Sequence, residues 1–127
     1  MKKIINTKQA PAPIGPYNQA VRVGNTLYTS GQIAINPATN ELVLDSIEEE
    51  TEQVMQNLKA VLAACDMTFE NVIKTTIFLS DMNNFQEVNK IYGAYFNEDT
   101  APARETVAVR ELPKSVHVEI SVIALIS

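Results

Sequence analysis

The clearest pattern in the chain is an apolar stripe that follows Ser46. Hydrophobic and small residues recur there at three- and four-residue spacing, which predicts an amphipathic helix lying on a core. The members of the stripe are Ile47, Thr51, Val54, Met55, Leu58, Val61, Leu62 and Cys65. Ser46 and Glu49 form a capping-box pattern at its start, and the glutamates at 48–50 suit the positive end of a helix dipole.

A second, shorter helix is predicted over roughly residues 84–96. Its apolar side carries Phe85, Val88, Tyr92, Tyr95 and Phe96. The segment before it, residues 80–84, is dense in the residue types that cap helices.

Much of the remaining chain is rich in alternating or β-branched residues, which is typical of strands. We predict strands over residues 3–6, 18–23, 26–35 and 71–79, followed by two C-terminal strands. Gly24-Asn25 predicts a tight hairpin turn, residues 36–40 a turn, and residues 41–45 a short extended piece. Residues 8–16 contain Pro11, Pro13 and Pro16, so we expect an ordered loop or a polyproline-like arm there.

This order of elements, β-β-β-α-β-α-β-β, predicts a single α+β domain over residues 1–127. Two helices can cover only one face of a mixed sheet of about six strands. The other face then needs water or a partner subunit. An oligomer that buries this face would also create clefts between subunits.

The two C-terminal strands carry unexpected charge. In the last strand His117, Glu119 and Ser121 alternate with a face made of Val116, Val118, Ile120, Val122 and Ala124. In the strand before it, Arg104 and Thr106 lie opposite Glu105 and Val107. We therefore expect one face of the sheet to be core and the other to carry Arg104, Thr106, His117, Glu119 and Ser121 together. A guanidinium and a carboxylate on one face can bind a small carboxylate and handle a proton or a water.

Composition narrows the possible functions. The chain has 127 residues, 46% of them hydrophobic, a net charge of -5 and a pI of about 4.8, which argues against binding nucleic acid or an anionic membrane. No apolar run follows the N-terminal lysines, as a signal peptide would require, and none is long enough for a membrane span. The single cysteine, Cys65, fits a buried hydrophobe in a reducing cytoplasm, and the single histidine, His117, cannot build a metal site.

Six motifs in order resemble the RidA/YjgF family, the reactive intermediate deaminases, over nearly the whole chain. They are Pro13-Ile14-Gly15-Pro16-Tyr17, Leu27-Tyr28-Thr29-Ser30-Gly31-Gln32, the run from Val72 to Met82, Phe85 to Asn89, Ala101-Pro102-Ala103-Arg104, and Leu112-Pro113 followed by Val118-Glu119-Ile120. The resemblance implies a chorismate-mutase-like fold, with the last strand inserted into the middle of the sheet. It also implies a homotrimer with sites in the clefts between subunits.

The activity that the resemblance implies is hydrolysis of 2-imino acids and of the 2-enamino acids that tautomerise to them, such as 2-iminobutanoate and 2-aminocrotonate. These compounds arise when dehydratases act on threonine or serine, and the products are a 2-keto acid and ammonia. The family uses no metal and no organic cofactor, so we expect none here.

Two residues match the family positions that would carry the chemistry. Arg104 matches the arginine that binds the substrate carboxylate, and its alternative is a surface ion pair on an edge strand. Glu119 matches the glutamate that holds a water near the imine, and its alternative is a salt bridge to Arg104 or Arg110 that only organises an interface.

Further family positions predict the walls of the site. Tyr17 would close it or else be an ordinary buried aromatic, and Ser30 and Gly31 would contact the ligand, although a bulge explains Gly31 nearly as well. Asn89 matches a position near the cleft, and Phe85 would supply an apolar wall. Thr106 stands where many relatives have cysteine, so thiol chemistry is not expected and Thr106 remains a polar wall.

Two other functions remain open at this point. The same cleft would serve a module that binds a keto acid and reports it to a partner without turnover. Endoribonuclease activity, also attached to relatives, is disfavoured by the acidic charge and the single histidine.

Overall fold

A computed structural model describes all residues, 1–127, and contains two helices and eight strands. The elements in chain order are β1 (Lys2–Ile5), β2 (Ala20–Val23), β3 (Thr26–Thr29), β4 (Ile35–Asn36), β5 (Glu41–Leu42), α1 (Ile47–Ala63), β6 (Val72–Leu79), α2 (Phe85–Gly93), β7 (Ala103–Ala108) and β8 (Val118–Leu125). No helix is long and apolar enough to cross a membrane.

Six strands form one mixed sheet in the order β1-β2-β3-β8-β6-β7. All neighbours are antiparallel except β6 and β7, which are joined by α2 and run parallel. The last strand, β8, lies between β3 and β6, which confirms the insertion that the family resemblance implied. The short strands β4 and β5 pair only with each other.

Helix α1 begins at the N-cap residue that its sequence predicts, although only the Ser46 half of the capping box forms. The Ser46 side chain accepts a hydrogen bond from the Glu49 N–H, and three glutamates occupy the first turn. Val54, Leu58 and Leu62 of the apolar stripe are fully buried, and Cys65 is buried as expected. Both helices contribute to one core with the inward residues of the sheet, so they cover a single face.

Two predicted boundaries are wrong. The strand predicted over 26–35 ends at Thr29, where the side-chain hydroxyl of Thr29, instead of its backbone, bonds the N–H and carbonyl of Val122 in β8. Only Gln32 returns to the sheet, through two backbone hydrogen bonds with Ile120. The second helix ends at Gly93 rather than residue 96, and a tight turn continues the chain from there.

The proline-rich arm is ordered by a buried amide. Gln19 is 2% exposed, and its side-chain NH₂ donates to the carbonyl oxygens of Thr7, Ala10 and Pro11. Its side-chain oxygen accepts from the Thr7 N–H. The arm is therefore fixed against the sheet, in agreement with the ordered loop predicted for residues 8–16.

The sheet face away from the helices, called the open face below, is uncovered and partly apolar. Its large hydrophobic residues are between 40 and 49% exposed, and they are Ile4, Val23, Tyr28, Val107 and Leu125. Apolar residues spread over one sheet face are typical of a surface that a partner covers. The open face is therefore a defined surface through which the subunits of the expected homo-oligomer could associate.

Candidate functional site

Arg104 lies on β7 at the edge of the sheet, opposite Thr75 of β6, and it points towards α2. Its Nη1 donates to the Asn89 side-chain oxygen at 2.6 Å. The guanidinium carbon stands 5.5 Å from the ring centre of Phe85 and 5.2 Å from that of Tyr92. Arg104 forms no salt bridge, so the surface ion pair considered from sequence is absent within the chain and most of its donors remain open.

The Tyr92 ring beneath Arg104 is itself held in place. Its hydroxyl shares a buried hydrogen bond of 2.8 Å with Thr75. Burial raises the pKa of the Tyr92 phenol, while the Thr75 hydrogen bond and the Arg104 charge act against that rise. A neutral, fixed phenol ring therefore supports one side of the guanidinium.

Arg104 lines a cavity of about 410 Å³. Its other walls are Asn89, Tyr92, Gly93, Phe96, Glu98, Ala101 and Pro102. Thr106 lies two residues along β7 on the same face, and its Oγ1 is buried without a hydrogen-bond partner. Such an unpaired hydroxyl is uncommon in folded proteins.

Glu119 lies on β8 opposite Phe78, on the open face. Its carboxylate has no salt bridge, so a pairing with Arg104 or Arg110 is not found in this chain. Partial burial raises the pKa of the Glu119 carboxyl. Gly31 lies against this side chain so closely that a Cβ there would stand 2.5 Å from Glu119 Oε2.

Glu119 lines a second cavity, also of about 410 Å³, that holds three more predicted residues. These are Tyr17, Ser30 and Gly31. Tyr17 is 50% exposed, which excludes the buried-aromatic alternative, and its hydroxyl accepts from the Ile14 N–H at 3.3 Å. The Ser30 hydroxyl donates to the Asn18 carbonyl at 2.6 Å and keeps its lone pairs available as acceptors.

The predicted residues thus fall into two groups rather than one. The arginine half-site consists of Arg104, Asn89, Phe85 and Thr106, and the glutamate half-site consists of Glu119, Tyr17, Ser30 and Gly31. Cross-strand partners share a face, so Arg104 opposite the buried Thr75 and Glu119 opposite Phe78 lie on opposite faces of the sheet. The single polar face predicted from alternation is therefore wrong.

The physical reason is that alternation assigns faces within a strand but not between strands. The inner face of β7 carries Arg104 and Thr106, and there α2 contacts the Arg104 guanidinium through Asn89, Phe85 and Tyr92. His117 also departs from the expected face, since its ring bonds Glu50 of α1 at 2.8 Å instead of standing beside Glu119.

Three functional candidates escaped the sequence analysis. Gln19 and Lys114 line the glutamate half-site. Glu50 is a fully buried carboxylate next to the start of β8, the strand that carries Glu119. A lone glutamine gives no pattern, and Glu50 was hidden in a run of three glutamates that fits a solvated first turn. Leu112-Pro113 enters the sequence analysis only as part of a family motif, and Lys114 next to it has no pattern of its own.

Comparison with known proteins identifies the family. A family model described as Endoribonuclease L-PSP matches residues 7–126. The chain belongs to the RidA/YjgF family. A RutC family protein from Synechocystis is 53% identical over 98% of this chain and 96% of its own length. A mouse protein named 2-iminobutanoate/2-iminopropanoate deaminase is 46% identical over 98% of this chain and 92% of its own.

Solved structures of RidA/YjgF proteins have the same fold. E. coli TdcF, whose crystal structure holds bound serine, is 39% identical with a TM-score of 0.92, over 98% of this chain and 99% of its own. The chorismate-mutase-like architecture expected from the motifs is therefore confirmed. No cluster of three or more His, Cys, Asp or Glu side chains in this RidA/YjgF chain is arranged to hold a metal ion.

Proposed function

We propose that this protein hydrolyses reactive 2-imino and 2-enamino acids, such as 2-iminobutanoate and 2-aminocrotonate, to 2-keto acids and ammonia. The observation that carries the proposal is a pair of complementary half-sites. One presents an unpaired guanidinium, and the other presents an unpaired, half-buried carboxylate. The deaminase name of the mouse relative and the serine bound to TdcF support a small amino-acid-like substrate.

The two half-sites need a second copy of the chain to meet. By their positions along β6, Arg104 and Glu119 are offset by three residues, roughly 10 Å, and by two strand spacings, also roughly 10 Å, with the sheet between them. The partly apolar open face carries Glu119 and is suited to assembly. In the homotrimer that we propose, Arg104 of one subunit faces Glu119 of the next across each cleft.

Arg104 has the chemistry to bind the substrate. Two parallel N–H donors of the guanidinium can hold the α-carboxylate, while Asn89 and the Phe85 and Tyr92 rings fix the orientation of the side chain. Binding at the carboxylate sets the position of C2, the atom that is attacked.

Glu119 has the chemistry to manage the proton. As a carboxylate it accepts a proton from water while the water oxygen bonds to C2 of the imine, which gives a tetrahedral carbinolamine. The protonated carboxyl then returns that proton to the amine nitrogen. Glu119 next takes the proton of the C2 hydroxyl and passes it to the amine nitrogen as the C–N bond breaks, so the nitrogen leaves as ammonia and C2 keeps the carbonyl oxygen of the keto acid. An enamine first gains a proton at C3 and loses one from nitrogen, so its C2–C3 double bond is replaced by the C2–N double bond of the imine.

The raised pKa of Glu119 suits both steps. A carboxyl whose pKa lies nearer to neutrality is a better proton donor to the departing amine at physiological pH than one with an ordinary pKa. Tyr17 and Ser30 lie at the same cavity and can limit the positions open to the water.

The direct test is a coupled assay with a threonine dehydratase and threonine. The wild-type protein is expected to accelerate keto-acid release, Arg104→Ala to lose the acceleration with its oligomer intact, and Glu119→Gln to lose turnover while still binding a keto acid. Arg104→Ala with normal acceleration would contradict the role of Arg104. A wild type that binds keto acids but never hydrolyses imines would favour the non-catalytic binding module.

The inter-subunit arrangement has its own test, in which two inactive variants are mixed. Arg104→Ala and Glu119→Gln subunits, unfolded and reassembled together at equal amounts, place intact Arg104 against intact Glu119 in about one cleft in four. About a quarter of wild-type activity is therefore expected. No recovery in verified mixed oligomers would mean that both groups act from one chain.

A further inference from the structure

Glu50 is a fully buried carboxylate on α1 whose three hydrogen bonds all go to one short segment. Its Oε2 accepts from the backbone N–H groups of His117 at 2.7 Å and of Val118 at 3.0 Å. Its Oε1 lies 2.8 Å from Nδ1 of the His117 ring. Its exposure is 0%, so this segment replaces all of the water that the charge would otherwise hold.

The segment that Glu50 holds follows a strained turn. Lys114 and Ser115 both have φ of 56°, a left-handed conformation that is costly for residues with a Cβ. Leu112 and Val116 are buried on either side of the turn and anchor it. Two consecutive residues of this kind persist only where the surrounding contacts enforce them.

Glu119 directly follows His117 and Val118, whose backbone N–H groups bind Glu50. On its other side, Ile120 exchanges two backbone hydrogen bonds with Gln32, at 2.8 and 3.1 Å. The backbone of Glu119 is therefore fixed on both sides, by Glu50 before it and by Gln32 after it. Pro113 and Lys114 of the strained turn line the same cavity as Glu119.

We propose that Glu50 is a positioning residue for catalysis: it clamps the start of β8 against the strained turn and so sets the position of the Glu119 carboxylate in its cavity. This inference rests on the role proposed for Glu119. Glu50 contacts neither the cavity nor the substrate, and it acts only through the strand.

In this proposal the length of the Glu50 side chain, rather than its charge, holds the start of β8 in place. A glutamine at position 50 keeps one oxygen at the distance that serves both amides, and its NH₂ can donate to Nδ1 of a neutral His117 ring. An aspartate keeps the charge but is shorter by one methylene, so its oxygens fall short of the two N–H groups. The two variants therefore separate reach from charge.

The experiment compares Glu50→Gln and Glu50→Asp with a matched control, Glu49→Asp, which shortens an exposed carboxylate in the same turn. We expect Glu50→Asp to accelerate amide hydrogen exchange at Val118 and to lower kcat on the order of tenfold with KM little changed, because substrate binding falls to Arg104. Glu50→Gln and Glu49→Asp should keep both properties near wild type. Equal losses in Gln and Asp, or a normal kcat in Asp despite fast exchange, would overturn the proposal.

A second substitution tests the link to the strained turn and helps if Glu50→Asp folds poorly. Glycine adopts a positive φ without strain, so Ser115→Gly removes part of the backbone strain that the Glu50 hydrogen bonds must oppose. Added to Glu50→Asp, it is expected to slow exchange at Val118 and to recover kcat. A double variant no better than Glu50→Asp would contradict the proposed clamp.

A readout without turnover separates this inference from the proposed function. The NMR titration of the Glu119 carboxyl should move in Glu50→Asp and stay unchanged in Glu50→Gln. If the wild type hydrolyses no imine, the proposed function fails, and a Glu119 titration that still responds only to Glu50→Asp supports the clamp. A titration identical in all variants overturns it.

Discussion

Gly31 and Glu119 lie so close together that no other residue fits at position 31 without moving the carboxylate. A Cβ on Gly31 would stand 2.5 Å from Oε2, 2.8 Å from Cδ and 2.9 Å from Cγ of Glu119. Gly31 has no positive φ, so its role is space rather than backbone conformation. The bulge considered from sequence is not needed to explain this glycine.

We predict that Gly31→Ala lowers kcat by displacing the Glu119 side chain. A shift of about 1 Å in a catalytic group costs on the order of 100-fold in rate. In the proposed mechanism Arg104 holds the substrate carboxylate, so KM should change little. Steady-state kinetics in the dehydratase-coupled assay measure both constants.

A double-mutant cycle provides the control for this prediction. In a Glu119→Gln background, the alanine at position 31 has no catalytic carboxylate left to displace, so the low residual rate of that variant should fall little further. Additive losses from the two substitutions would show that Gly31 acts independently of Glu119.

The pKa of Glu119 predicts a conflict between function and stability. Burial raises its pKa above the usual 4.5, so the folded protein holds this proton more tightly than the unfolded chain does. The associated stability is therefore complete below pH 4.5 and is lost as the pH rises through the raised folded value. Above that folded value, the cost of burying the charge of Glu119 lowers the stability of the fold.

Glu119→Gln should consequently raise the Tm at pH 7 while leaving only a low residual rate of turnover. The difference from wild type should shrink as the pH falls towards 4.5, where the wild-type carboxyl is also protonated. Thermal unfolding of both proteins across this range measures the effect. A Tm difference independent of pH would show that burial of the charge is not its cause.

The sequence was a good guide to the fold because its signals were local. The stripe from Ile47 to Cys65 and the cap at Ser46 depend only on neighbours along the chain, and both predictions were confirmed. The site depended on pairings between distant strands. Arg104 and Glu119 were placed on one face because alternation cannot show that Arg104 lies beside Thr75 and Glu119 beside Phe78.

Buried polar residues were missed for a related reason. Glu50 has two glutamate neighbours with the same helix preference, and only the approach of His117 and Val118 gives it a distinct role. Gln19 likewise becomes recognisable only when the arm folds over it.

We predict that Arg104→Lys raises KM far more than it lowers kcat. Lysine keeps the charge but not the planar pair of donors, and it loses the contacts that orient the guanidinium over the Phe85 and Tyr92 rings. Hydrogen bonds to charged groups contribute about 1.5–3 kcal/mol, which corresponds to a KM roughly 10- to 150-fold higher.

Arg110→Ala is the matched control for the Arg104 variants, because Arg110 is an exposed arginine beyond the end of the same strand. It should retain wild-type kinetic constants. Equal losses in the two variants would point to a general effect of positive charge on anionic substrates rather than to a specific Arg104 contact.

The buried pair of Thr75 and Tyr92 predicts a non-additive effect on stability. Thr75 is 0% exposed and Tyr92 is 5% exposed, and their hydroxyls satisfy each other at 2.8 Å. Tyr92→Phe or Thr75→Val alone leaves one buried hydroxyl unpaired, at a cost of about 1–3 kcal/mol in the free energy of unfolding. The double variant removes both hydroxyls and should lose less than the sum of the single losses.

Urea denaturation of the four proteins measures this coupling. The KM should also rise in both single variants, because the Tyr92 ring supports Arg104. Strictly additive losses with an unchanged KM would mean that the pair neither stabilises the core nor orients the guanidinium.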